Sequence, residues 1–162
     1  NDVSSGIVFQ SMDVEPYGQY QNIAKQKIRG VEMELSYQRK SWTLEGNYTY
    51  LWSDTTYSAL IRRPAHQAQF RAIFRPKAHW QFQTSIQYVG ERNDLFFDEA
   101  VYASVPKNLS AYWWTELQVG YQMSPKVRWN LLLKNALNQE ITELYGYTGQ
   151  KLNVQLTCVI SW

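Results

Sequence analysis

The chain of 162 residues carries 16 Lys and Arg against 14 Asp and Glu, a formal charge of +2, which gives no electrostatic footprint for nucleic acid. It has no run of about eighteen apolar residues, so no membrane helix is expected, and no basic-then-apolar leader, so no signal peptide is expected. Aromatic residues make up 15% of it, led by 12 Tyr; a membrane β-barrel passes both tests, because only every second residue of its strands must be apolar.

Taken in order, the chain reads as a series of strands. Residues 3–10 form a weak strand with Ile7 and Phe9 on one side, and Pro16, Tyr17 and Gly18 mark a loop. From Gln21 the chain extends again, and Val31, Met33, Leu35 and Tyr37 alternate with Glu32, Glu34, Ser36 and Gln38. After a short turn at Arg39, Lys40 and Ser41, Trp42, Leu44, Gly46, Tyr48, Tyr50 and Trp52 alternate with polar residues. A long connection, 53–66, leads to Ala68, Phe70, Ala72 and Phe74, which are set against Gln67, Gln69, Arg71 and Arg75. A tight turn at Pro76 is followed by Trp80, Phe82, Thr84, Ile86 and Tyr88. Residues 90–111 read as a long loop. Trp113, Thr115, Leu117, Val119 and Tyr121 then turn at Ser124 and Pro125 into Val127, Trp129, Leu131 and Leu133. A third long connection, 135–150, precedes the final strand, 151–162.

That last strand is the clearest. Leu152, Val154, Leu156, Cys158, Ile160 and Trp162 share one face; Lys151, Asn153, Gln155, Thr157 and Ser161 share the other, where Val159 is the apolar exception. The sequence stops on an indole in register with the apolar face, as an aromatic girdle at a lipid–water boundary requires. Cys158 has no partner for a disulfide within the chain and reads as a small hydrophobe.

Three features fix the expected class as an all-β, antiparallel transmembrane β-barrel. The strands run to about nine to eleven residues, where soluble strands average about five or six. Connections alternate strictly between short and long, which a meander crossing a membrane must do. The polar face carries Gln, Glu, Arg, Lys and Asn almost without relief. A soluble β-sandwich also alternates, but it imposes no order on its loops and no aromatics at its strand ends. The short turns at Arg39, Pro76 and Ser124 are expected on the periplasmic side, and the three long loops outside the cell.

No catalytic constellation is legible, and no enzyme is expected, although some small barrels modify lipids. His66 and His79 fall at opposite ends of neighbouring strands, which argues against a shared metal. Glu91, Asp94, Asp98 and Glu99 crowd the longest loop; oxygen ligands of this density suit Ca²⁺, but the spacing matches no ion-binding loop, and a solvated loop is the plainer expectation. The same loop carries Leu95, Phe96, Phe97 and Tyr102, a candidate contact for a ligand or a surface lipoprotein, set against loop-on-loop packing. Lys25, Lys27 and Arg29 share the parity of Val31 and Met33. Unless Gly30 marks a bulge, they stand outward just above the apolar belt, where lipopolysaccharide phosphates lie. Glu32, Glu34, Glu45, Arg71, Arg75 and Arg128 are complementary in sign on the inner face and read as cross-strand pairs or contacts to whatever fills the lumen.

Several stretches together resemble one family. Residues 28–35, Ile-Arg-Gly-Val-Glu-Met-Glu-Leu, followed by Tyr48-Thr49-Tyr50, then Arg63-Pro64-Ala65-His66, then Tyr88-Val89-Gly90-Glu91-Arg92, resemble the late-barrel pattern of TonB-dependent outer-membrane receptors. Asn135-Ala136-Leu137-Asn138-Gln139-Glu140, then Tyr145-Gly146-Tyr147 and the terminal aromatic strand, are the most specific part and look most like the cobalamin-receptor branch. Gly149-Gln150-Lys151 departs from the glycine–arginine pair usual before the last strand, and Trp162 stands where Phe is more usual. The resemblance implies an outer-membrane protein of a Gram-negative bacterium and a plugged barrel of about 22 strands. This chain then supplies the last eight or so strands, without the plug. A C-terminal part of a longer protein, a split chain and a self-closing eight-strand structural or adhesive barrel all fit eight strands; the resemblance favours the first. The edge at 3–10 needs a partner in lipid. The implied function is uptake of a scarce nutrient chelate, cobalamin first and siderophore second, with TonB acting through the plug. The resemblance also implies that Leu152, Val154, Leu156, Ile160 and Trp162 form the signal read by the barrel-assembly machinery, with the segment as its substrate, by strand addition at an edge.

Overall fold

The computed structural model describes residues 2–3, 6–11, 18–23, 26–53 and 61–162. Among them the strands are β1 (Asp2–Val3), β2 (Gly6–Ser11), β3 (Gly18–Ile23), β4 (Gln26–Arg39), β5 (Trp42–Ser53), β6 (His66–Lys77), β7 (Trp80–Val89), β8 (Arg92–Asp98), β9 (Ala103–Leu109), β10 (Tyr112–Ser124), β11 (Val127–Lys134) and β12 (Asn153–Ile160). Eight strands make one antiparallel sheet in the order β1-β4-β5-β6-β7-β10-β11-β12, while β2–β3 and β8–β9 stand apart as two hairpins.

Alternation in the sequence becomes two continuous rows in the sheet. Tyr37, Leu44, Ala72, Thr84, Leu117, Leu133 and Val154 are successive cross-strand partners. One residue along each strand, Ser36, Glu45, Arg71, Ser85, Glu116, Lys134 and Asn153 are partners in the same way. Neighbouring residues of a strand point to opposite faces, so the first row lies on an apolar face and the second on a polar one. A slip of one residue anywhere would exchange the two. Gly30 keeps register with Leu51, so no bulge interrupts β4 there and Arg29 shares the face of Val31. A Cβ at Gly30 would stand 2.6 Å from Leu51 Cδ2, so any side chain there would force Leu51 to move.

Aromatic rings collect at the two ends of the apolar face. At the short-turn end Trp42 stacks on Phe74 at 4.3 Å and Trp80 meets Tyr121 at 4.5 Å. At the long-loop end Tyr50 stacks on His66 at 4.7 Å, and Tyr88 meets Trp113 at 4.8 Å. The two girdles are eight residues apart on β5, β7 and β10. At ~3.3 Å per residue and a tilt of ~40° that is about 20 Å of height, close to the ~25 Å apolar band of an outer-membrane barrel. The sheet is one layer thick, and the few buried apolar residues gather mainly at the long-loop end, as Val89, Leu109, Tyr112 and Ile141.

Three expectations are corrected. The weak strand at 3–10 is not one element: Asp2 and Val3 join the sheet against Lys27 and Gln26, whereas β2 pairs with β3 in its own hairpin. Alternation shows that a stretch is extended but not what it pairs with. Pro16 and Tyr17 lie outside the described residues, and Gly18, expected in their loop, opens β3. The long loop at 90–111 is a hairpin, with Phe96 opposite Val105 and Phe97 opposite Ser104. Both of its faces mix polar and apolar residues, so the period-two signal is absent.

Leu117 sits midway between the girdle residues Trp113 and Tyr121. In the intact protein in lipid bilayers, Leu117→Arg is expected to cost about 2–4 kcal/mol and Gln118→Arg, one residue away, less than about 1 kcal/mol. Urea unfolding followed by tryptophan fluorescence checks the difference; equal costs would mean that the faces are misassigned.

Candidate functional site

At the long-loop end the hairpin β8–β9 is fastened from two sides. Ile61 bridges Asn93, and the Arg62 amide donates to the Asn93 carbonyl at 2.7 Å. Arg62 Nε donates to Asp94 Oδ1 at 2.6 Å, the Leu95 amide donates to the same oxygen at 2.8 Å, and the Tyr145 amide donates to Asp94 Oδ2 at 2.9 Å. Burial of Asp94, only 1% exposed, pushes its carboxyl upward, but the Tyr145 amide, the Arg62 guanidinium and the Leu95 amide outweigh that and hold it below the usual carboxylate range. Arg62 takes a left-handed φ of 60°, uncommon outside glycine, and its guanidinium and amide are both committed to this contact.

Arg92, 7% exposed, anchors the other strand end. Its Nη2 donates to the carbonyls of Thr142 and Glu143 at 2.9 and 3.2 Å, and the guanidinium lies 5.3 Å from the centre of the Tyr112 ring. Below it, Val89, Tyr112, Ile141 and Trp114 pack together.

The segment that receives the hairpin is shaped by Asn135, which is 0% exposed. Its Nδ2 donates to the carbonyls of Gln139 and Gln150 at 2.8 and 2.9 Å, and its Oδ1 accepts from the Gln139 amide at 3.1 Å. Asn138 Oδ1 accepts from the Leu152 amide at 3.0 Å, which ties the loop to the start of β12. Both asparagines have φ of 49°, a conformation their short amides tolerate. Gly149 donates to the Ile141 carbonyl at 2.7 Å, and a Cβ there would lie 3.0 Å from that oxygen.

The aromatics expected to act together are divided. Phe96 faces the loop and meets Tyr145 at 5.0 Å, and Lys107 Nζ stands 4.9 Å over the same Tyr145 ring. Phe97 and Tyr102 meet each other at 5.2 Å instead. In β8, Phe96 shares the parity of Arg92 and Asp94, whereas Phe97 shares that of Asn93 and Leu95. Lys107 and Arg62 carry no signal of their own in the sequence, and Tyr145 and Arg92 stand out there only within the family motifs; the one chemical signal is the acidic run, whose Asp94 needs a cation when buried. The four acids of the run do not gather at one point. Asp94 is saturated by three donors, Asp98 Oδ1 accepts from the Ala100 amide at 2.9 Å, and among the described residues no three Asp, Glu, His or Cys side chains converge.

The remaining candidates are dispersed. His66 Nδ1 is 2.7 Å from the Tyr48 hydroxyl, and His79 Nδ1 is 2.9 Å from the Gln122 carbonyl oxygen at the opposite end of β6. Lys25 lies outside the described residues; Lys27 pairs with Asp2, and Arg29 with Trp52. On the polar face Glu45 meets Arg71 at 3.7 Å, and Arg71 Nη2 donates to Gln83 Oε1 at 3.2 Å. Leu152 and Trp162 flank β12, whose Val154, Leu156 and Ile160 are exposed on its outward side.

Asp94→Asn sets an amide N–H against the Tyr145 or Arg62 donors. It is expected to cost about 1–3 kcal/mol, read as roughly 10–100-fold faster hydrogen exchange at Leu95 and Tyr145 in the intact protein. Because the folded-state carboxyl is depressed, its contribution is complete above the unfolded value near ~4 and is lost as pH falls through the lower folded value. Exchange at Tyr145, corrected for its intrinsic rate, is therefore expected to be flat from about pH 7 to pH 5 and to rise only below about pH 4.

The family profile "TonB dependent receptor-like, beta-barrel" matches residues 1–138. The fold is similar to the pyoverdine outer-membrane receptor FpvA of Pseudomonas aeruginosa, with a TM-score of 0.80 at 15% identity over 99% of this chain and 26% of that one. It is similar to the ferric-catecholate import receptor Fiu of E. coli in its closed form, with a TM-score of 0.74 at 17% identity over 98% of this chain and 24% of that one. The copper transporter OprC gives a TM-score of 0.72 at 17% identity over 99% of this chain and 27% of that one. The chain thus spans about a quarter of the length of these structures. The fold is an all-β barrel sheet of the Gram-negative outer membrane, and the chain belongs to the TonB-dependent receptor β-barrel family, whose members are receptors rather than enzymes.

Proposed function

We propose that the chain forms the late strands and outer loops of a transporter that takes up a ferric siderophore-type chelate. The observation that carries this reading is the fastened hairpin, which presents Phe96, Tyr145 and Lys107 together above the barrel wall. Rings and a cation on a held platform suit an aromatic, anionic ligand such as a ferric catecholate, and a fixed platform loses little entropy on binding. The likeness to pyoverdine and ferric-catecholate receptors supports siderophore over the cobalamin expected from the sequence. Among the described residues the sheet is open: β12 has no second partner, and β4 from Gly30 to Arg39 pairs only with β5. Unpaired edges in lipid cost several kcal/mol per group, which favours completion by further strands over closure of eight. Transport then follows from capture by outer loops and plug, with the plug moved through TonB. Until the barrel is complete, the β12 edge is a surface for strand addition by the assembly machinery.

The intact receptor titrated with ferric catecholate, ferric hydroxamate and cobalamin, by quenching of its tryptophans, tests this reading. Ferric catecholate is expected to bind tightest, and Tyr145→Ala is expected to weaken it about tenfold. Tighter binding of cobalamin would overturn the ligand assignment. An intact mass near that of this chain, with no co-purifying partner, would overturn the transporter.

A further inference from the structure

At the short-turn end of the polar face lies a concavity of about 480 Å³, lined by Arg75, Lys77, His79, Gln81, Gln122 and Arg128. No carboxylate lines it, and among the described residues neither of its two arginines nor Lys77 has an ion-pair partner. The geometry is specific. A Cβ at Gly120 would stand 3.0 Å from Arg128 Nη2 and 3.3 Å from Asn130 Oδ1. The missing side chain therefore lets the Arg128 guanidinium lie across β10 toward β7. Arg128 Nε donates to Asn130 Oδ1 at 3.1 Å, which fixes the plane of the group. The Gln122 carbonyl, 2.9 Å from His79 Nδ1, is an acceptor only, so Nδ1 carries the proton and Nε2 is the ring nitrogen left over. Farther from this end the same face is different: Glu34 and Glu45 line a second hollow with Arg71. Of these two hollows, only the one at the short-turn end lacks a carboxylate.

We propose that this concavity docks an acidic polypeptide segment of the domain that fills the barrel, with Arg75 and Arg128 gripping its carboxylates. The proposal rests on the reading that a protein domain occupies the lumen. Facing water, three cations in one hollow are screened and cost little. Facing a packed domain, they are taken out of water, and each then needs a negative partner. The described part of the wall supplies none at this hollow, which leaves the occupant as the source. The wall's own amides are used in the β-ladder, so there is no nest of N–H groups of the kind that holds free phosphate; what remains is side-chain forks, which match planar carboxylates. Arg75 and Arg128 stem from strands three positions apart, about 14 Å, shortened to about 10 Å by the reach across Gly120. At ~3.3 Å per residue, an extended segment meets both with acids two or four residues apart, since only those share a face.

The test uses the intact receptor purified in detergent. Arg128→Lys keeps the charge and supplies an amine, and a zero-length carbodiimide then joins that amine only to a carboxylate in direct contact. An amide adduct between position 128 and an Asp or Glu of the luminal domain, located by peptide mass spectrometry, is expected. Arg75→Gln with Arg128→Gln should lower the urea midpoint for release of that domain by about 0.5–1 M, the two lysine substitutions should restore it, and Glu45→Gln should leave it unchanged. A luminal domain with no adduct, or with adducts only inside this chain, overturns the docking site and leaves the transporter reading standing. Binding of inorganic phosphate, detected by ³¹P resonance and abolished by the two glutamine substitutions, without any adduct, would make it a small-anion site and equally overturn the proposal. A receptor without any luminal domain overturns both readings.

Discussion

In hydrocarbon, every backbone N–H and C=O must find its partner within the protein, because no water is there to replace it. The rest of this structure follows from that constraint. It forces the strands into one uninterrupted antiparallel ladder from β4 to β12, and the ladder in turn fixes which side chains face outward. Register is thus the quantity that lipid selects. The two rows of partners that cross all the long strands, one apolar and one polar, are its visible form. Packing plays a minor part in the span itself. The wall has almost no interior of its own, and its apolar face is completed by lipid rather than by a second layer.

Above the span the balance reverses. Here water satisfies loose loops, and order has to come from specific bonds. The hairpin β8–β9 and the segment 135–150 hold each other through buried polar groups, Asp94, Arg92 and Asn135, each hydrogen-bonded to main-chain partners. Such groups are costly to bury unpaired and directional when paired. They place Tyr145 and Phe96 more firmly than apolar contact alone would. Arg62, Asn135 and Asn138, like Tyr102 at the tip of the hairpin, sit in left-handed backbone, a conformation uncommon outside glycine.

The sequence made the span legible and the platform nearly illegible, for one physical reason. A wall between lipid and lumen has two contrasting environments, so alternation is written into every strand, as in Trp80, Phe82, Thr84, Ile86 and Tyr88. The hairpin has no such contrast. Arg92, Asp94 and Phe96 share one of its faces and Asn93, Leu95 and Phe97 the other, so its strands passed for a loop. Asp94 read as one acid in a run of four, although its partner Arg62 lies 32 residues earlier and no local pattern links them. Asn135 to Glu140 stands out as a family motif; only the structure shows its role, with the buried Asn135 amide holding Gln139 and Gln150 and Asn138 tying the loop to the last strand. At the other end of the chain, alternation identified an extended stretch at 3–10 but held no information on whether it would pair with β4 or fold back on itself.

Cys158 pairs across the ladder with Trp129 on the apolar face, near the short-turn girdle, and is the chain's single thiol. In the bilayer it lies on the lipid side, where water-borne oxidants and disulfide catalysts have no path and membrane-partitioning electrophiles do. The chain therefore carries its own depth marker: a single sulfur whose accessibility records, without any engineered residue, whether β12 has entered the membrane in register.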